Sequence, residues 1–353
     1  MRKAMKRVAI GAAAVLGIAL IAVLVIAAVL TFPATPRDSA KLRFAGFVTL
    51  PKSEKAGMLS VLDYLTIDGG RLYVTDISTG DVFAVPLAGA GPPSRGSIAV
   101  AAGAGGAHSV VIDPVSRMGF VTRSGANRVD AYDPASGRIV KHIEVAADVD
   151  GMIFDPADKL LYAVSGDPEL ASLIDPATMT KVGTVALGGK PEFAAFDPLT
   201  GLIYQNLVDH DAVAVVDPVR PLVVDRWSVK PCAEPTGAAL DIPGRRLFVV
   251  CGANALLAVV DLASHRIVAT LPIGGGPDSV AYDPGLRRIY ATGRSGVLSV
   301  TQQDGPDRYR ALGAIKLHYG AHTLAVDPAT HRVYVAYASL FIPPRVAAFD
   351  ARP

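Results

Sequence analysis

The sequence predicts an all-β chain folded as a seven-bladed β-propeller, and three observations carry that prediction. A phrase of two alternating strands joined by an Asp-Pro turn runs from His322 to Tyr337 and recurs from His108 to Thr122. Five looser copies accompany these two, and all seven can be indexed on the Asp that ends the first strand of each: Asp68, Asp113, Asp155, Asp197, Asp241, Asp283 and Asp327, at spacings of 45, 42, 42, 44, 42 and 44 residues. Each copy has room for four short strands, and a repeat of this length with four strands is the pattern of a propeller blade.

Taken in order, the chain opens on Arg2, Lys3, Lys6 and Arg7, with no acid before Asp38. Residues 1–7 read as a basic cytoplasmic tip. Residues 8–32 hold no charge and are apolar apart from Gly and one Thr. As a helix they would rise about 37 Å, enough to cross a hydrocarbon core of roughly 30 Å. A cleavable signal has a shorter apolar region and a small-x-small exit, which Leu30 to Pro36 does not offer. The expectation is therefore a transmembrane signal anchor, with a removed signal peptide and secretion as the alternative. The basic tip places the N-terminus inside and everything after residue 32 outside, on the periplasmic or extracellular side of a bacterial inner membrane. Residues 33–41 form a polar, Pro-containing linker, and residues 42–353 form the propeller.

Within each repeat the first strand meets its turn at the index Asp, which Pro follows directly in five of the seven copies. Asp and Pro favour such a turn because Pro pre-sets φ and Asp bonds the backbone ahead of it. A second strand follows with one aromatic at a fixed place: Tyr73, Phe120, Tyr162, Tyr204, Phe248, Tyr290 or Tyr334. Third strands such as Ala212 to Asp217 and fourth strands such as Arg266 to Pro272 complete the unit. The last repeat reaches only its third strand, Val346 to Asp350. The stretch from Phe44 to Pro51, ahead of the first repeat, matches the missing fourth. Pairing the two closes the ring and removes two exposed edges.

Leu72-Tyr-Val-Thr-Asp76 and Val333-Tyr-Val-Ala336, with the loops Gly188 to Glu192 and Gly274 to Asp278, resemble the YVTN-type seven-bladed β-propeller repeat family. The resemblance covers the chain beyond the linker. It implies an exported or surface protein and says little about activity. Two repeats depart from the pattern. The first has Asp68-Gly-Gly in place of Asp-Pro, and the sixth has a long polar segment, Thr301 to Arg310, where a turn should fall.

Composition limits the functional classes. Hydrophobic residues make up 51% of the 353 and charged residues 19%, which allows a large core. Net charge is +2, and setting aside the N-terminal four leaves 30 basic against 32 acidic residues, with no basic tract to meet nucleic acid. There is no His-Glu-x-x-His, no Gly-x-Ser-x-Gly, no P-loop and no haem-attachment motif. Cys232 lies in the loop entering the fifth repeat and Cys251 ends its second strand, on the same face, where a disulfide is feasible outside the cytoplasm.

In a propeller the first strands line the central channel. The residue five before each index Asp then stands at the channel mouth: Asp63, His108, Asp150, Glu192, Thr236, Asp278 and His322. Four are acids and two are histidines in matching Gly-Ala-His contexts. As a ligand site, this set suits a divalent metal (Ca, Zn or Mn), with His108, His322 and Asp63 the nearest neighbours around the ring. The plain alternative is polarity facing channel water, and no cofactor is firmly implied. The function expected is a monomeric, membrane-anchored extracytoplasmic binding or scaffold module that takes a protein or small-molecule ligand on its channel-mouth face. The enzyme alternative is a metal-dependent hydrolase of lactonase or sugar-ester type, by analogy with exported propellers carrying acid-rich metal centres in that place.

Overall fold

Alternating apolar residues make each repeat a twisted antiparallel sheet, apolar on both faces in its middle strands, so it must be covered by a neighbour on each side. The computed structural model describes residues 35–39, 41–50, 59–87, 98–101, 106–318, 320–337, 339–340 and 344–352, in which seven four-stranded sheets form the ring. The expected membrane span at 8–32 lies outside the described residues; among those described, no helix is long and apolar enough to cross a membrane. The third blade shows the plan: Val149–Asp155 innermost, then Leu160–Ser165, Leu170–Asp175 and Thr180–Ala186 outermost. The second strand is buried almost throughout, whereas the outermost exposes most of its side chains.

Seven apolar clusters fill the wedges between blades. In one, Phe248 and Val250 of the fifth blade meet Val280, Ile289 and Ala291 of the sixth. Each fully buried aliphatic or aromatic side chain of this kind contributes about 1.5–3 kcal/mol. The ring closes as the sequence predicts. Leu42–Thr49 pairs antiparallel with Arg345–Ala351, which pairs with Arg332–Tyr337 of the seventh blade.

The index Asp residues shape one face of the disc, here the Asp-turn face. Asp113 accepts backbone N–H bonds from Val115 at 3.1 Å and Ser116 at 3.0 Å, and Asp283 does the same for Gly285 and Leu286. The residue closing the turn is left-handed, with φ of 61° at Arg117, 54° at Arg245 and 59° at His331. Each of these three reaches back to the preceding blade: Arg117 to Asp68, Arg245 to Asp197 at 2.7 Å, His331 to Asp283 at 2.9 Å. In the first blade, Gly69 and Gly70 both take positive φ, 53° and 73°, and make the shorter two-residue turn that Asp-Gly-Gly encodes.

The polar segment of the sixth blade is not a loop. Val297–Gly305 and Arg308–Lys316 are strands of nine residues each, joined at Pro306 and Asp307. The extension leans on the fifth blade, where Gln303 donates to Asp241 at 2.8 Å and Arg246 pairs with Asp307 at 2.6 Å. Polar side chains there meet polar partners on a neighbouring blade, so the strand reads as a loop by composition alone.

On the opposite face, side chains of one blade donate to main-chain carbonyls at the start of the next blade's inner strand. Thr75 donates to the His108 carbonyl, Thr122 to Asp150 at 2.7 Å, Asn206 to Thr236 at 2.6 Å, and Thr292 to Ala321 at 2.7 Å. Val250 and Ala336 occupy the matching second-strand position in the fifth and seventh blades. There, Thr236 on the fifth inner strand and Thr323 just before the seventh donate forward instead, to the carbonyls of Pro277 and Asp63. Val164 of the third blade has no group to donate. Replacing Thr122 by Val keeps shape but leaves the Asp150 carbonyl unpaired, and should destabilise the fold by about 1–3 kcal/mol in a denaturant titration.

Candidate functional site

The inner strands Leu62–Asp68, Ala107–Ile112, Val149–Asp155, Pro191–Asp197, Pro235–Asp241 and Pro277–Asp283 begin at the channel mouth, and Leu324–Asp327 begins just after His322. The seven residues expected at the mouth thus stand at or just before the starts of the inner strands, and they do different things. Asp63, His108 and Asp150 draw together on adjacent blades. His108 Nδ1 lies 2.8 Å from Asp63 Oδ2, and its Nε2 lies 2.9 Å from Ser124 Oγ. Asp150 Oδ1 is 3.1 Å from the same Nδ1, a charge contact without hydrogen-bond geometry, so that oxygen is buried with no donor of its own.

His322 is turned by its neighbour. Its Nδ1 donates to the Gly320 carbonyl at 2.8 Å, which leaves Nε2 3.7 Å from Asp63 Oδ1. The donor set expected for a metal, His108, Asp63 and His322, is thus altered. Asp63, His108 and Asp150 are the three whose ligand atoms lie within 4.8 Å of one another. Such a trio suits a divalent ion in residue type and spacing. The Thr236 hydroxyl is engaged between blades, donating to the Pro277 carbonyl at 3.0 Å.

The electrostatics divide the ring. Burial would lower the His108 pKa, but the Asp150 and Asp63 carboxylates outweigh it and raise the imidazole to about 10. Burial would raise Asp63, but His108 and His322 hold it below the ordinary carboxylate range. His322 is raised too, because Asp63, Asp278 and the Gly320 carbonyl overcome its burial. This arc is a set of internally matched charges. The other arc is only partly matched. Glu192 is pushed up to about 7 by burial and by the charges of Asp150 and Asp278. Asp278 is raised chiefly by burial, with Asp63 and Asp150 adding repulsion. The cations that offset this are His322 and Arg294, the latter 3.7 Å away with its side chain 74% exposed.

One step down the channel lies a feature that sequence reasoning missed. The residues following the mouth ring are Tyr64, Ser109, Gly151, Phe193, Gly237, Ser279 and Thr323. Five are small or short, and the two aromatics stack across the space they leave, with centroids 4.6 Å apart and planes 20° from parallel. Gly151 makes room there, since a Cβ would come within 3.1 Å of the Tyr64 hydroxyl and press on it. Tyr64 stays neutral, its pKa raised well above 10 by burial and by Asp150, Asp63, Glu192 and Asp278. Beside the stack is a cavity of about 180 Å³, walled by Met152, Ile153, Val164 and Ala194 with Glu192 at its edge. The signal was present as a run of small residues interrupted twice.

Cys232 and Cys251 are joined by a disulfide, their Cα atoms 5.1 Å apart. Trp227 is packed rather than displayed, stacked on His265 at 4.0 Å and donating to Asp225 at 2.7 Å.

These charges make stability depend on pH. A histidine raised from 6.5 to about 10 contributes its full stabilisation below pH 6.5 and loses it as pH climbs through 10. Unfolding free energy should therefore fall by up to about 1.4 kcal/mol per pH unit across that window, and His108→Gln should flatten the slope. Glu192 acts at lower pH. Its raised pKa costs stability as pH rises from 4.5 through 7, so Glu192→Gln should be more stable than wild type above pH 7 and equal to it near pH 4.

No family model matches the chain, and no curated protein matches it. Among solved structures the chain is similar to Kuenenia stuttgartiensis hydrazine synthase, with a TM-score of 0.68 and 17% sequence identity over 81% of this chain and 95% of that one. A likeness at that identity shows the propeller fold and nothing of the site.

Proposed function

We propose that this protein is a membrane-anchored, extracytoplasmic binding or scaffold module whose channel mouth receives a positively charged group. That group would be the lysine or arginine side chain of a partner protein or a small organic amine. The observation that carries the reading is the under-matched arc, Glu192 at about 7 and a raised Asp278, beside the stacked rings of Tyr64 and Phe193. Acids held at this cost are relieved by an incoming cation, and aromatic faces add to the attraction. The apolar run at 8–32 and the basic residues before it support the anchor, and the disulfide suits an oxidising compartment.

The test is calorimetric titration of the purified protein with butylamine and with short Lys- or Arg-containing peptides. Binding a cation favours ionised Glu192, so affinity should rise by up to about tenfold per pH unit as pH approaches 7 and level off above it. Glu192→Gln should remove that dependence, and Glu192→Gln with Asp278→Asn should weaken binding about tenfold or more. An affinity indifferent to pH and to both substitutions would overturn the reading.

A second reading, a metal-dependent hydrolase, is favoured by the convergence of Asp63, His108 and Asp150. A bound divalent ion there would polarise a substrate carbonyl or activate water. The Nδ1 of His108 that faces both carboxylates carries a hydrogen when the ring is protonated, so an ion would have to displace it. Elemental analysis of the protein, with His108→Ala as the comparison, decides this. Stoichiometric metal lost in the variant would establish the centre, and none after soaking in Ca, Zn or Mn would remove it.

A further inference from the structure

We infer that the Asp-turn face of the propeller rests on the membrane surface and that the channel mouth points away from it. The inference rests on the signal-anchor reading of residues 8–32. It is carried by where the linker joins the disc. Leu42 starts the closing strand opposite Ala351, and Asp350 beside it lies opposite Arg332, which in turn pairs with Asp327. The linker therefore meets the propeller at the Asp-turn face.

It is also fastened there. Asp38 accepts the Phe44 N–H at 2.9 Å and pairs with Arg352 at 2.6 Å, Ser39 Oγ accepts the Leu42 N–H at 3.0 Å, and the Arg352 N–H bonds the Lys41 carbonyl at 2.8 Å. Five residues separate Asp38 from Phe32, the last of the apolar run. Even fully extended, that stretch spans only about 20 Å. The mouth lies at the other end of the seven-residue inner strands, and turning it to the bilayer would mean undoing the Asp38 contacts.

A second observation on the same face points to what it touches. Val115, Leu199 and Val219 sit two residues after Asp113, Asp197 and Asp217, at the tips of Asp-Pro turns, and are 72%, 66% and 63% exposed. Turn tips of this type ordinarily carry polar or small residues. The three belong to the second and fourth blades, while the linker joins the seventh, so linker and apolar tips hold the disc from different sides of the ring. Short apolar side chains projecting from a tethered face suit the boundary between headgroups and acyl chains of a bilayer.

The test uses the full chain reconstituted into liposomes that contain brominated lipids. Single-cysteine variants Val115→Cys, Leu199→Cys and Val219→Cys carry an environment-sensitive fluorophore, with Lys190→Cys and Asp167→Cys on the mouth face as references. The native cysteines are buried in their disulfide and stay unlabelled without reductant. If the inference holds, the protein floats with the liposomes, and the three tip labels are quenched several-fold more than the two references. Flotation with equal quenching on both faces, or stronger quenching at the mouth, overturns the orientation and leaves the anchor standing. Protein that does not float overturns the anchor reading and the orientation with it.

Discussion

The bonds that cross from one blade to the start of the next are what make a ring of sheets into a site. Apolar wedges hold blades together without fixing their register, because hydrophobic contact is non-directional. A hydroxyl or amide bonded to a single carbonyl has direction. Thr75, Thr122, Asn206 and Thr292 each hold the backbone at or beside a mouth residue of the following blade. The positions of His108 and Asp150, and hence the reach between their side chains, depend on donors in the blade before.

Where that bond is missing, the structure differs. Val164 breaks the series between the third and fourth blades, and it is also a wall of the cavity beneath Glu192. The apolar side chain there accompanies an opening that a hydrogen-bonded seam would close. Gly151, at the same seam, lets the Tyr64 ring lie across the channel toward Phe193. Val164 and Gly151 thus border an apolar, aromatic-walled space that Glu192 also lines.

How much of this is legible in the sequence follows from what repeats. The blade count, the turn Asp residues, the closure by Leu42–Thr49 and the identity of the mouth ring all come from periodicity, because one phrase written seven times leaves little freedom in register. What periodicity does not give is the direction of a side chain at a ring position. His322 and His108 share a Gly-Ala-His context, yet one is turned by the Gly320 carbonyl while the other sits between two carboxylates. Thr236 looks like a mouth residue by position and is a tie between blades by geometry. The sixth blade misleads for a related reason, since Gln303 and Asp307 meet the polar Asp241 and Arg246 of the fifth blade.

A fold that could have placed Ser or Asn at the mouth instead buries Glu192 and Asp278 among other acids and tolerates pKa values that count against its stability at neutral pH. The opposite arc shows that the same scaffold is able to match such charges, with His108 between Asp63 and Asp150. Local rules satisfied on one side of a ring and broken on the other indicate selection for something besides folding. The cost falls on the side where the aromatic stack and the cavity lie, so the proposed recognition surface rests on the under-matched acids and the apolar space together. A group that is positive where it meets the acids and apolar where it passes the rings would suit such a surface.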